Sequence, residues 1–238
     1  MWGSVRSYKY LSWITAIFVT CLIVANIIAV KLISIGGLVL PAAVIIFPVS
    51  YIFGDVLTEV YGYGRARQVI WIGFACNLLA VAAMVIGGAL PPAPFWASNQ
   101  AAYDSILGFT PRLLAASFIA YLVGEFLNSF VLARMKVATS GRHLWARTIG
   151  STLIGQLADS TVFITLGLVR ITALPAPLQG ALPLEALPGA IITQWLFKSA
   201  YEVVATPATY VVVNWLKRVE NEDVFDRDTD FNPFRLAA

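Results

Sequence analysis

The sequence predicts an all-α membrane protein of six transmembrane helices with both termini in the cytoplasm, and three observations carry that prediction. The chain is 59% hydrophobic and only 12% charged over 238 residues, whereas soluble domains run at about 25% charged. Its mean hydropathy of +0.78 leaves too little polar surface to face water on every side. The apolar residues gather into lipid-length runs and do not alternate as the strands of a membrane barrel would. The basic residues collect on one side of those runs.

Six spans follow in order: Leu11–Ser34, Leu38–Phe53, Gln68–Leu90, Leu113–Ala133, Ile149–Val169 and Ala190–Trp215. A bilayer core of about 30 Å needs about 20 helical residues. The second span is short, and the helix is expected to continue through Asp55 and Glu59. Strands are not expected within runs of this length. The first span is too long, and too poor in a small-residue cleavage site, to be a removable signal. Pro48 and Pro207 fall inside the second and sixth spans, where each permits a kink.

With the N-terminus inside, Arg6, Lys9, Arg65, Arg67, Arg134, Lys136, Arg142, Arg147, Lys217, Arg218, Arg227 and Arg235 lie on the cytoplasmic side. They are twelve of the sixteen basic residues, which fixes the orientation by the positive-inside rule. Lys31, Arg112 and Arg170 lie at the outer edge, and Lys198 falls within the sixth span. The chain then divides into a cytoplasmic N-terminal segment (residues 1–10), a six-helix transmembrane domain (11–216) and an acidic cytoplasmic tail (217–238). The tail, with Glu220, Glu222, Asp223, Asp226, Asp228 and Asp230, is expected to be disordered or to lie on the surface. The proline-rich outer segments Pro91–Pro111 and Arg170–Pro188 read as headgroup-level connections, with a lid over an outward-facing site as the functional alternative.

Several function classes drop out. The net charge of +3 follows from topology and does not point to nucleic acid. Cys21 and Cys76 each sit in an apolar run as small hydrophobes, and the lone His143 belongs to a basic loop. Neither a metal, a cofactor nor a nucleophile–base pair is called for, so the chain is not expected to be an enzyme. Val60-Tyr-Gly-Tyr-Gly64 looks like a potassium filter but abuts Arg65 and Arg67 on the inner side. A glycine-rich turn ending the helix explains it better.

What remains is a set of polar residues at lipid depth. Asp55 and Glu59 are four apart and share one helix face. The fourth span has Glu125, Asn128 and Ser129; the fifth Gln156, Asp159 and Ser160; the sixth Gln194, Lys198, Tyr201 and Glu202. Offsets of three and four put each set on one side of its helix. A centred charge costs about 2.5 to 3.5 kcal/mol to insert, so each must face protein or a wet cavity. Gly124-Glu-Phe-Leu-Asn-Ser129 also echoes Gly155-Gln-Leu-Ala-Asp-Ser160, as if both helices line one space. Ordinary helix–helix hydrogen bonding would equally account for Asn128, Ser129, Gln156 and Ser160. Lys198 can pair with Glu202 along its own helix, leaving Glu125 and Asp159 without an obvious partner unless Lys31 reaches inward. An unpaired buried carboxylate takes up a proton or awaits a donor-rich ligand. A planar ligand with adjacent N–H donors would suit it.

The run Phe47-Pro-Val-Ser-Tyr-Ile-Phe-Gly-Asp-Val-Leu-Thr-Glu-Val-Tyr-Gly-Tyr63, preceded by Ala25-Asn-Ile-Ile-Ala-Val-Lys31, resembles the bacterial queuosine precursor transporter (VUT) family. Glu125-Phe-Leu-Asn-Ser129, Gly155-Gln-Leu-Ala-Asp-Ser160 and Lys198-Ser-Ala-Tyr-Glu202 resemble its later motifs, and the match spans about Leu11 to Trp215. The resemblance implies an inner-membrane importer of 7-cyano-7-deazaguanine and 7-aminomethyl-7-deazaguanine for tRNA queuosine. It also implies six helices similar in plan to the vitamin-binding subunits of energy-coupling-factor transporters. On that basis Glu125 or Asp159 would accept the N1–H and 2-amino edge of the base. Asn128 and Gln156 would serve its other polar atoms, and Tyr201 or Phe53 would stack on the ring. Asn26, Lys31, Asp55, Glu59, Lys198 and Glu202 would form the charge network or the gate. The partners are then a nucleobase-like small molecule and the lipid bilayer, with a homodimer left open. The rival is a substrate-binding subunit of an energy-coupling-factor vitamin transporter, which needs a separate energising module.

Overall fold

A computed structural model describes residues 8–29, 31–35, 38–108, 111–170 and 182–235. Its helices in chain order are α1 (Leu11–Ile28), α2 (Phe47–Ala89), α3 (Gln100–Leu107), α4 (Pro111–Ala138), α5 (Leu144–Phe163) and α6 (Leu187–Glu220). Among the described residues four helices are long and apolar enough to cross a membrane: Leu11–Ile28, Val49–Ala89, Leu114–Ala138 and Leu144–Leu168. The 34-residue α6 is long enough, but Gln194, Lys198 and Glu202 dilute its apolar character.

The expectation of helix to Ser34 and again from Leu38 is corrected over residues 31–34 and 38–41. Strands β1 (Leu32–Ile35) and β2 (Leu38–Pro41) pair antiparallel, with Leu32 opposite Pro41 and Ile35 opposite Leu38. The β-branched Ile33, Ile35 and Val39 favour extended backbone. The sequence between the strands is Gly36-Gly37, a pair that two-residue hairpins favour. Pro48 falls in the first turn of α2, where its missing N–H breaks no helical bond and creates no kink.

The second and third expected spans prove to be the two arms of α2. Gly62 breaks the helix at φ 81°, ψ 165°, a backbone region open to glycine but not to L side chains. The arms fold back on one another there. Phe18 of α1 lies against both Gly54 and Gly73, positions that a straight helix would separate by about 28 Å. A Cβ on Gly62 would also sit 2.6 Å from the Val224 side chain, because the C-terminal segment packs into the break. The glycine-rich turn expected at Val60–Gly64 therefore rests on Gly62.

Of the two expectations for the tail, that packing sets aside disorder and fits the other, a segment lying on the surface of the bundle. The Asp226 carboxylate accepts the backbone N–H of Tyr63 at 3.0 and 3.2 Å, capping the second arm of α2 as a local N-cap would. Arg67 donates to the carbonyls of Asp230 and Asn232 at 2.8 and 2.7 Å, and Trp71 donates to Pro233 O at 2.7 Å. The acidic residues gain these partners because α2 presents N–H groups and a guanidinium where the tail passes. At the start of the chain, the Glu220 carboxylate accepts the N–H groups of Lys9 and Tyr10 and the hydroxyl of Tyr61. One end of the bundle thus gathers the start of α1, the break in α2 and the end of α6. At the other end, Arg112 donates to Leu166 O and Val169 O, where α5 widens into a π-helical turn over Ile164–Leu168. Tyr103 of α3 donates to Met84 O, tying the first outer segment to α2. Most of the second, residues 171–181, lies outside the described residues.

Candidate functional site

The centre of the bundle is the crossing of α4 and α5. A Cβ on Gly124 would lie 2.8 Å from Asp159 Cβ, and one on Gly155 would lie 2.8 Å from Asn128 Cβ. The contact is reciprocal: each motif glycine receives the fifth residue of the other motif. Absence of side chains at 124 and 155 is what lets the backbones approach. The following residues of each motif, Glu125 and Gln156, are 1% and 2% exposed.

Two outer helices hold the crossing. From α2, Asp55 Oδ1 accepts Asn128 Nδ2 at 2.8 Å, and Thr58 donates to Ser129 at 3.1 Å. From α6, Lys198 donates to Asp159 at 2.5 Å. This last contact corrects the expected pairing of Lys198 with Glu202 and the expectation that Asp159 lacks a partner. The helical offset allows the first pairing, but α5 brings a carboxylate closer. Lys31 does not serve the interior, since it is exposed beside the hairpin.

Five of the buried oxygens left without partners define the site. Asp55 Oδ2, Glu125 Oε2, Asn128 Oδ1, Gln156 Oε1 and Glu202 Oε1 have no hydrogen-bond partner among the described residues. Glu125 Oε2 points at α2, 3.1 Å from where a Cβ on Gly54 would be. Electrostatic contacts join the group: Asp55 interacts with Glu202 and Glu125, and Glu125 with Asp159 and Lys198. Tyr51 belongs to it too, buried and hydrogen-bonded to the Gln156 side chain. These five are carboxylate and amide oxygens, which accept, whereas the unpartnered hydroxyls of Thr152, Ser160 and Ser199 can also donate; a buried acceptor without a partner is costly. The arrangement suits a ligand that presents donors.

Of the other expected residues, Asn26 donates to Asn77 at 3.0 Å, joining α1 to the second arm of α2. Phe53 packs against the apolar core formed around Phe18, Val56 and Tyr121. Tyr201 is partly buried, one position before Glu202. Tyr51 is not singled out by the sequence, because an aromatic among apolar residues signals core. Its place four residues before Asp55 is the available sign.

Glu59 lies one turn below Asp55 in a different environment. Wholly buried, its carboxylate meets Arg147 and Lys217 at 2.7 Å each and Lys136 at 3.7 Å. Lys136 also donates to Asp223 at 2.5 Å and to Val224 O at 2.6 Å, and Lys217 lies 2.9 Å from Asp223. Arg147 reaches the carbonyl of Arg142 as well. Burial pushes the Asp223 carboxyl up, but hydrogen bonds from Lys136 and Lys217 outweigh it and hold the group below the ordinary carboxylate value. Glu220 behaves alike: burial raises it, and the N–H groups of Lys9 and Tyr10 with the Tyr61 hydroxyl hold it down. In the sequence Lys136, Arg147 and Lys217 read only as topology signals, and nothing there shows their convergence on Glu59.

Membrane-length helices enclosing buried charge define a multi-pass membrane protein. Residues 41–212 match the family described as "Putative vitamin uptake transporter", and the chain belongs to that family. It is similar to the "Probable queuosine precursor transporter" of Bacillus subtilis (strain 168), 28% identical over 188 residues covering 78% of this chain and 77% of that protein. It is also similar to the "Queuosine precursor transporter" of Escherichia coli (strain K12), 25% identical over 170 residues covering 71% and 74% of the two chains. A third relative, from Haemophilus influenzae (strain ATCC 51907 / DSM 11121 / KW20 / Rd), is a "Probable queuosine precursor transporter", 25% identical over 120 residues covering 50% and 48%. No solved structure matches the chain.

Proposed function

We propose that this chain imports the queuosine precursors 7-cyano-7-deazaguanine and 7-aminomethyl-7-deazaguanine across a bacterial inner membrane. In this reading six segments cross the bilayer: α1, the two arms of α2, α4, α5 and α6, with both termini on the cytoplasmic side. The reversal at Gly62 and the joining of Tyr10 to Glu220 support that count and orientation. The names of the relatives support the substrate.

The observation that carries the reading is the group of buried acceptors without partners on Asp55, Glu125, Gln156 and Glu202. A 7-deazaguanine presents N1–H and a 2-amino group side by side. The Glu125 carboxylate accepts such an edge through two parallel, charge-assisted hydrogen bonds. Gln156 and Asn128 serve the remaining polar atoms of the base, and Tyr51 supplies an aromatic face beside Gln156. Glu59 and its cations close the cytoplasmic side below this site, so release inward requires that cluster to part.

Uptake by the purified chain in liposomes tests the proposal. Accumulation of a labelled 7-deazaguanine without any added ATPase is expected. No uptake until an energising partner is supplied would replace it with the substrate-binding-subunit reading.

A further inference from the structure

We infer that the segment from Asn221 to Phe234 is a strap across the cytoplasmic mouth of the site, one that peels away before a ligand is released inward; the inference rests on the transport reading above and its orientation. The chain leaves α6 at Asn221, whose φ of 51° turns it back over the end of the bundle, a left-handed conformation that asparagine tolerates. It then grips the elements that border the Glu59 cluster. Asp223 takes Lys136 of α4 at 2.5 Å and Lys217 of α6 at 2.9 Å. These are two of the three cations that meet Glu59. The N–H of Val224 donates to Val60 O at 3.3 Å, and the Asp226 carboxylate accepts the N–H of Tyr63 at 3.0 Å. Both sides of the break at Gly62 are thereby held. Further along, the Phe231 ring lies 5.0 Å from that of Tyr63 on α2 and 5.1 Å from that of Phe130 on α4.

Position decides what such a strap does. Between the acceptor on Asp55 and the cluster on Glu59 lies the hydrogen bond from Thr58 to Ser129, and the two residues are 0% and 1% exposed. The interior is shut at that level, and opening it inward means parting α2 from α4 and α6. The strap spans those seams, so they cannot widen while Asp223 and Asp226 stay seated. Its grip is also reversible. Among the described tail residues only Asp226, 3% exposed, is buried in the bundle, whereas the Asp223 side chain is 45% exposed. Water replaces partly exposed ion pairs at small net cost, which leaves Asp226 as the main pin. Withdrawing that pin frees the cations at the rim of the Glu59 cluster from the tail and lets the inner ends of the helices separate.

Labelling of a reporter thiol from the cytoplasmic face tests the strap. Ser129→Cys, in the full chain with Cys21 and Cys76 replaced by Ala, places a thiol between the acceptors and the Glu59 cluster; Thr58→Cys gives a second reporter at the same level. In inside-out vesicles without ligand, Asp226→Ala should raise the rate at which a membrane-impermeant methanethiosulfonate modifies either reporter. The expected gain is about tenfold, the population shift that losing one hydrogen bond to a charged group implies. Native Cys21, buried in α1, is the control in a chain lacking only Cys76, and its labelling should stay at the parental rate. Unchanged rates at both reporters would overturn the strap. Equal gains at the reporters and at Cys21 would also overturn it, by making Asp226 a brace of the whole fold. The labelling needs no substrate, so failure of the transport reading shows separately, as absence of uptake by the parent chain in liposomes.

Discussion

Glu59 and Glu125 are both wholly buried carboxylates in the bundle interior, and their surroundings are opposite. Glu59 meets three cations within 3.7 Å through Oε1, whereas no salt bridge reaches Glu125 among the described residues; the Oε2 of each lacks a hydrogen-bond partner there. Burial alone therefore does not mark a ligand site, and neither does one unpartnered oxygen; what marks one is a buried carboxylate that no salt bridge reaches. In the Glu59 group carboxylates and cations answer one another in charge, as a structural clasp requires, while Glu59 Oε2 and Arg147 Nε have no hydrogen-bond partner among the described residues. The group around Glu125 is left incomplete by the protein itself, at a cost that a bound ligand can offset.

The contrast breaks most forcefully at Glu59. Replacing it by Gln leaves Arg147, 1% exposed, without its counter-charge and leaves Lys136 with Asp223 alone. A broken buried pair costs about 3 to 5 kcal/mol, so Glu59→Gln should lower the thermal midpoint of the detergent-solubilised chain by several degrees. An unchanged midpoint would mean that the clasp is not structural. Next comes the crossing that positions both halves of the open site. Gly155→Ala puts a methyl 2.8 Å from Asn128 Cβ and 2.9 Å from Gly124 O. Overpacking of that kind costs about 1 to 3 kcal/mol, and displacement of Asn128 should weaken ligand affinity as well. Loss of stability with intact affinity would detach the crossing from the site.

The smallest effect concerns the rim of the clasp. The folded-state value of Asp223 is held below the ordinary 3.8. Its contribution is therefore present above the unfolded value and lost as pH falls through the folded one. Its side chain is 45% exposed, which limits the contribution to about 1 kcal/mol or less. Asp223→Asn should melt slightly earlier than the parent near neutrality, and the two should converge in acid. A gap that persists at low pH would show that Asp223 acts by packing.

Much of this arrangement is legible in the residue pattern. Offsets of three and four residues put Glu125 with Asn128, and Gln156 with Asp159, on single helix faces. The echo between the two motifs points to helices lining one space, and in the fold it is a reciprocal glycine crossing. What the pattern does not hold is which faces meet. Lys198 lies four residues from Glu202, yet it takes Asp159 of α5, because periodicity fixes a side of a helix and not its neighbour. Arg147 and Lys136 obey the positive-inside rule whether solvated or buried, so nothing local distinguishes the two. Composition alone leaves the tail disordered or lying on the surface, and does not show that Asp226 caps the break that Gly62 opens in α2, a partnership made across 163 residues. The hairpin at residues 32–41 is hidden in hydropathy, where β-branched and helical apolar residues score alike.

The account turns on whether the unsatisfied oxygens at mid-depth hold the ligand. Its most direct test is the thermal shift given by a 7-deazaguanine to the purified chain and to Glu125→Gln. The base should stabilise the unmodified chain by several degrees and leave the folded variant unmoved; equal stabilisation of both would contradict the account.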